Sequence, residues 1–259
     1  MAEIRLDKFL SDRTAHSRSE IKMLLKKGAV RADGAVVTDP KQKINPELQE
    51  ITLNGKKIHG SAHIYLILNK PEGYICATED REHKTVLELV PEELRRKDMF
   101  PAGRLDIDST GLVLVTDDGG LAHQMLSPKH HVSKYYLVTL ARPFEESYIQ
   151  SLADGITLSD GTECLPVQAR QISEKQCLVC LHEGKYHQVK RMFASLGNHV
   201  EHLHRTAVGS LILPPDLPSG GCLEIFHKDI LEMLKAESFS AMCEQTVSAF
   251  SSYLINDRH

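Results

Sequence analysis

The sequence predicts an α+β protein made of two unequal modules and an acidic tail, and three observations predict it. After residue 60, apolar segments with a two-residue period are interspersed irregularly with helical ones rather than alternating as strand–helix–strand units, which implies a mixed, mostly antiparallel sheet. Residues 1–60 carry twelve Lys and Arg against eight Asp and Glu, a balance of +4 in a chain whose total is −4. Such asymmetry is the footprint of phosphate contacts gathered in one module. Residues 216–259 hold seven acids against three bases, a balance that disfavours contact with a polyanion. The expected boundaries are 1–60, 61–227 and 228–259, and 259 residues suffice for one small core and one substantial one.

Within the first module, Arg5-Leu6-Asp7-Lys8-Phe9-Leu10 opens an amphipathic helix, and Ser17-Arg18-Ser19-Glu20 opens a second, with Ser17 as N-cap and Glu20 closing a capping box. Lys22, Lys26 and Lys27 crowd that second helix, so with Arg5, Lys8 and Arg18 they are the candidate phosphate contacts. A hairpin follows around Asp33-Gly34, the pair a type I′ turn favours. Residues 58–63 have linker composition, which would leave the two modules free to move.

In the larger module, strands are expected near 64–69, 112–116, 135–140, 163–170, 176–182, 199–208 and 211–213, and helices near 118–126, 145–153 and 186–196. Asp117-Asp118-Gly119 reads as a helix cap, not a metal or phosphoryl site. Lys185, Lys190 and Arg191 gather at the start of the helix near 186–196, whose N-terminal amides add to a phosphate-friendly end. His130-His131, after a turn, is a further candidate phosphate contact.

Residues 103–119 place Gly103-Arg104-Leu105-Asp106 on a loop that feeds an apolar strand. If the segment is extended, Arg104 and Asp106 share a face, and the guanidinium would hold the carboxylate ionised as a base or nucleophile. An isolated Arg-x-Asp is more often a surface ion pair. Four further segments alter that balance.

The loop resembles the signature of the RsuA family of pseudouridine synthases. Asn69-Lys70-Pro71-Glu72-Gly73-Tyr74 looks like that family's Lys-Pro-x-Gly motif, and Ser133-Lys134-Tyr135-Tyr136-Leu137-Val138 its Lys-x-Tyr-x-Val strand. Residues 183–193, Glu-Gly-Lys-Tyr-His-Gln-Val-Lys-Arg-Met-Phe, look like its third motif, and Leu203-His204-Arg205 falls at its Leu-x-Arg. Residues 1–60 resemble the S4 RNA-binding domain, which implies that Arg5, Lys8, Arg18, Lys22, Lys26 and Lys27 are RNA-binding residues. The resemblance implies that Asp106 is the catalytic aspartate, Tyr136 the residue stacking on the target base, and Lys190 the cation pairing with Asp106. Arg104 would fill the gap left by a flipped-out uridine, and Lys70, Arg191, Leu203 and Arg205 would complete the substrate site. The implied reaction breaks the N1–C1′ bond of uridine, turns the uracil and rejoins it through C5, so no cofactor is needed. Extruding the nucleotide costs a few kcal/mol, which a stacking aromatic and a plugging side chain help to offset.

Residues 186–193 and 197–200 look most like the small-subunit members of the family, which implies 16S ribosomal RNA, at uridine 516, free or in an assembling subunit. Large-subunit RNA is the alternative, and a catalytically silent RNA-binding assembly factor the reading from another class. A glycoside hydrolase using Asp106 and Asp108 fits poorly, because two acids two residues apart do not flank a bond. The six cysteines lack a disulfide or metal spacing; Cys177 and Cys180 should face opposite sides of a strand. No metal is expected at His199, His202 and His204, where no Cys or carboxylate of suitable spacing joins. The lack of Trp and of abundant aromatics disfavours broad nonspecific stacking on single strands. No apolar run reaches membrane-spanning length and no signal peptide is apparent, so a cytoplasmic monomer is expected.

Overall fold

In the computed structural model, residues 3–14, 16–46, 48–58, 63–126, 132–235 and 237–250 are described. In the N-terminal module, α1 (Leu6–Arg13) and α2 (Arg18–Lys26) follow a short strand β1 (Ile4–Arg5). Their apolar faces meet: Leu6, Phe9, Leu10, Ile21 and Leu25 are wholly buried. The expected capping box is present, with the Glu20 amide donating to Ser17 Oγ at 3.3 Å and the Ser17 amide to Glu20 Oε2 at 2.7 Å. The hairpin of β2 (Val30–Ala32) and β3 (Ala35–Val36) turns through Asp33 and Gly34, both at positive φ (50° and 81°), as a type I′ loop requires. Then β4 (Lys43–Ile44) pairs with β1, while β5 (Ile51–Leu53) and β6 (Lys56–Ile58) extend the hairpin sheet to the order β3-β2-β5-β6. The expected linker falls mostly on residues 59–62, outside the described residues.

The larger module is built on one nine-stranded sheet. Its strands begin with β7 (Tyr65–Lys70), whose continuous apolar run is buried on both faces. A small parallel pair, β8 (Tyr74–Ile75) and β9 (Lys84–Thr85), and two 3-10 turns lead to β10 (Phe100–Pro101) and β11 (Thr110–Thr116). There follow α3 (Gly119–Leu126), β12 (Lys134–Leu140), α4 (Ser147–Asp154), β13 (Gln168–Gln171), β14 (Gln176–Leu181), α5 (Gln188–Ser195), β15 (Val200–Val208), β16 (Leu211–Ile212) and β17 (Cys222–Ile225). The sheet order is β13-β14-β12-β15-β11-β7-β17, with β10 on β11 and β16 on β15; within it only β11 and β15 run parallel. This is the α+β, mostly antiparallel arrangement that the sequence predicts.

One expected strand is shortened. The run 163–170 becomes a strand only at Gln168, with an isolated bridge between Thr157 and Glu163, because Pro166 has no N–H for the ladder. As expected, Asp118 caps α3, accepting from the Leu121 amide at 3.0 Å and from the Tyr65 hydroxyl at 2.8 Å. Asp117 instead accepts from the Ile64 amide at 2.9 Å and lies 3.8 Å from the buried Arg96 guanidinium.

The two faces of the sheet are covered differently. On one face, α4 and α5 join Tyr136, Val138, Val179, Leu181 and Leu203 in the largest core. On the other lies the tail, in α6 (His227–Met233) and α7 (Phe239–Ala249). Phe239 stacks on Tyr135 at 6.4 Å, Met242 and Cys243 are fully buried beside Cys180, and Phe250 meets the His204 ring edge-on at 5.6 Å. The sequence left the tail's destination open, and its apolar residues bury themselves on the back of the sheet. Cys177 and Cys180 do point to opposite faces, one into each core. All six thiols are free, and among the described residues no cluster of three His, Cys, Asp or Glu could hold a metal ion. No described helix is long and apolar enough to cross a membrane.

Candidate active site

Asp106 lies between β10 and β11, on a loop that is bent rather than extended. Gly103 sits at φ 113°, and the Ser109 amide donates to the Asp106 carbonyl at 3.1 Å to close a turn. The bend separates the two side chains of the Arg-Leu-Asp tripeptide: no ion pair joins Arg104 to Asp106 among the described residues. Arg104 is exposed.

What shapes the loop is buried beneath it. Lys70 is completely buried and its ammonium donates to three carbonyls, Ser109 at 2.6 Å, Pro71 at 3.0 Å and Ile107 at 3.3 Å. Burial lowers its pKa from the ordinary lysine value, and the nearby Asp108 and Asp106 charges partly oppose that shift. Gly73 of the same motif donates its amide to Ile107 O at 2.9 Å. The Asn-Lys-Pro-Glu-Gly segment therefore holds the Asp106 loop from below, and Lys70 does not face the cleft. Arg205 behaves likewise: only 2% exposed, it donates Nε to Leu112 O at 2.7 Å and an Nη1 hydrogen to Arg104 O at 3.2 Å. Its strand approaches β11 so closely that a Cβ on Gly111 would lie 2.3 Å from the Arg205 carbonyl oxygen. With φ at 102°, that position requires glycine.

Above the loop is a cleft of about 320 Å³, lined by Arg104, Asp106, Tyr136, Leu203 and the Lys185–Val189 segment among others. A second hollow of about 460 Å³ continues from it past Arg104 and Tyr136 to Lys134 and Arg205. The fold thus gathers at one place an acid from the β10–β11 loop, an aromatic from β12 and an aliphatic from β15. Tyr136 and Leu203 are inward-facing strand residues, and β-pairing sets Tyr136 opposite Arg205. Burial lowers the Lys134 pKa, with Arg205 adding repulsion.

The cations of α5 are distributed otherwise than the resemblance implies. Lys190 pairs with Asp108, whose carboxyl it holds below the usual range, and the side chain that approaches Asp106 is the His187 imidazole, with Nε2 3.5 Å from Oδ1. His187, immediately before α5, and Lys190, in its first turn, meet acids two apart on one loop. Arg191 pairs with Asp160 at 2.5 Å and Lys185 with Glu183 at 3.1 Å. His187 could not be singled out from sequence; its role depends on a left-handed backbone (φ 48°) that swings the ring toward the loop. His202 is exposed, 4.0 Å from Glu72, and His204 is turned to the back face, where Thr110 Oγ1 is 2.8 Å from its Nδ1. His130 and His131 lie outside the described residues.

On the N-terminal module, Lys8, Arg18, Lys22, Lys26 and Lys27 are exposed. Arg5 is exposed as well but clamps the buried Asp7 with two hydrogen bonds of 3.0 and 2.7 Å.

The chain belongs to the class of pseudouridine synthases: residues 64–195, which carry the Asp106 loop, Tyr136 and Lys190, match the RNA pseudouridylate synthase family, and residues 4–50 match the S4 domain. Within it, the chain is of the RsuA type. It is 43% identical over 219 residues to the ribosomal small subunit pseudouridine synthase A of Yersinia pestis, covering 84% of this chain and 92% of that protein. With its Escherichia coli K12 namesake it shares 39% over 235 residues, 89% of this chain and all of that one. A solved pseudouridylate synthase is 37% identical, with a TM-score of 0.63 over 89% of this chain and 99% of its own.

Proposed function

We propose that the protein isomerises one uridine of 16S ribosomal RNA, uridine 516, to pseudouridine, with Asp106 as the catalytic carboxylate. The single observation that carries the reading is the convergence of Asp106, Tyr136, Arg104 and Leu203 on one cleft beside a loop held by Lys70. The similarity to proteins named for small-subunit modification supports the choice of RNA. In this reading the S4 module docks structured RNA through Lys8, Arg18, Lys22, Lys26 and Lys27, and the catalytic cleft receives the extruded uridine. Tyr136 stacks on the uracil, Leu203 walls the pocket, and exposed Arg104 enters the vacated space in the duplex. Asp106 then reaches the ribose or the base. His187 orients it, while Lys190 and Arg191, each paired with a carboxylate, hold the segments around the cleft in place. Lys70 and Arg205 act on substrate indirectly, by fixing the loop carbonyls. The enzyme would work as a cytoplasmic monomer and without a cofactor.

The test is mapping of pseudouridine at single-nucleotide resolution in free 16S RNA, free 23S RNA and assembling small subunits incubated with the protein. Modification at uridine 516 alone is expected. Modification confined to 23S RNA would favour the large-subunit alternative, and tight binding without any modification would favour an assembly factor.

A further inference from the structure

Tyr186 is an aromatic side chain that the reaction as described leaves unused. It is 75% exposed, more than any other aromatic among the described residues, and it sits on the rim of the cleft that holds Asp106. Its ring stacks on the His187 imidazole, with centroids 3.9 Å apart and planes 18° from parallel. His187 is in turn held 3.5 Å from Asp106, so the pair forms a shelf tied to the catalytic carboxylate. The backbone that builds the shelf is left-handed at a non-glycine residue (φ 48°), and no capping hydrogen bond from the His187 side chain accompanies it. The Tyr186 carbonyl accepts from the Arg191 guanidinium at 3.4 Å, which steadies it from the helix side.

The charges around the shelf indicate what it receives. Lys185, Lys190 and Arg191 are each matched by a carboxylate, Glu183, Asp108 and Asp160. The rim therefore presents a flat aromatic face among neutralised cations. That surface suits a nucleobase better than a phosphate, because every base has a π-face and stacking needs no counter-charge.

We propose that the Tyr186–His187 shelf is a stacking subsite for an unpaired base adjacent to the target uridine. This proposal rests on the functional reading above and adds to it a second recognised nucleotide. The subsite gains affinity from overlap, with little demand for base identity and a preference for purine over pyrimidine. It also couples recognition to chemistry, since a base on the shelf presses on the ring that orients Asp106.

The experiment measures the affinity and conversion of a 16S fragment around uridine 516, intact or with one abasic nucleotide at either neighbour of the uridine. Wild type, Tyr186→Ala and Tyr186→Phe are compared. Tyr186→Ala should weaken binding of intact RNA roughly tenfold, whereas Tyr186→Phe should stay within about twofold of wild type. The abasic RNA at the shelf position should bind wild type about tenfold more weakly and suffer no further loss with Tyr186→Ala. Equal losses with intact and both abasic RNAs, or no loss in Tyr186→Ala, would overturn the subsite while leaving wild-type conversion, and hence the functional reading, intact. If wild type neither binds nor converts intact RNA, the functional reading fails and the subsite falls with it.

Discussion

Replacing Lys70 with Met removes the ammonium beneath the Asp106 loop while keeping a side chain of similar length at its fully buried position. Three carbonyls, of Ser109, Pro71 and Ile107, then lose their shared donor. Hydrogen bonds from a charged donor contribute roughly 1.5–3 kcal/mol each. Three would sum to about 5–9 kcal/mol, but the desolvation of a buried ammonium, several kcal/mol, offsets much of this. Ile107 O also keeps the Gly73 amide. A net loss of about 2–4 kcal/mol is expected, concentrated in the loop that carries Asp106. The assay pairs urea denaturation with single-turnover pseudouridine formation at saturating RNA. Lys70→Met should lower the denaturation midpoint and the single-turnover rate by at least tenfold, with RNA affinity nearly unchanged. An unchanged midpoint with a large loss of RNA affinity would mean that Lys70 meets substrate directly, and would refute the account of the loop.

Other perturbations have equally definite outcomes. Gly111→Ala places a methyl 2.3 Å from the Arg205 carbonyl at φ 102°, so it should cost at least about 3 kcal/mol or prevent soluble expression, read by thermal denaturation. Met242→Ala should destabilise by about 2–4 kcal/mol in urea, because Met242 is wholly buried on the back of the sheet; an unchanged midpoint would show that the tail does not dock. Burial depresses the His204 pKa to about 4 from 6.5. Between those values the unfolded chain binds a proton that the folded chain refuses, so stability should fall as pH is lowered from 6.5 toward 4, by up to about 3 kcal/mol. His204→Gln should flatten that part of the pH–stability curve.

Local features were legible in the sequence because local chemistry decides them. Ser17 with Glu20, Asp33-Gly34, the Asp118 cap and the opposed faces of Cys177 and Cys180 each follow from neighbours in the chain. The set of cleft residues was legible through family motifs, which bring Asp106, Tyr136, Arg104 and Leu203 to one place. Pairings across the cleft were not. Whether Lys190 meets Asp106 or Asp108 depends on the loop's turn and on the helix phase, and the left-handed step at His187 alters both. Lys70 and Arg205 look like RNA contacts in sequence because a cation in a motif does not reveal that loop carbonyls need a donor. Arg5 likewise is committed to Asp7, which is buried and needs a counter-ion. The tail was ambiguous because its apolar residues fit any apolar surface; only the uncovered back of the sheet, around Tyr135 and Cys180, specifies where they go.

The central claim is that a carboxylate at position 106 performs the isomerisation in a cleft built for an extruded uridine. Its most direct test is pseudouridine formation in 16S ribosomal RNA by wild type and by Asp106→Asn, which keeps the side chain's size and removes its charge, with RNA affinity measured for both. The account predicts modification at one uridine by wild type and none by a variant that binds the RNA equally well. Undiminished modification by Asp106→Asn would contradict it.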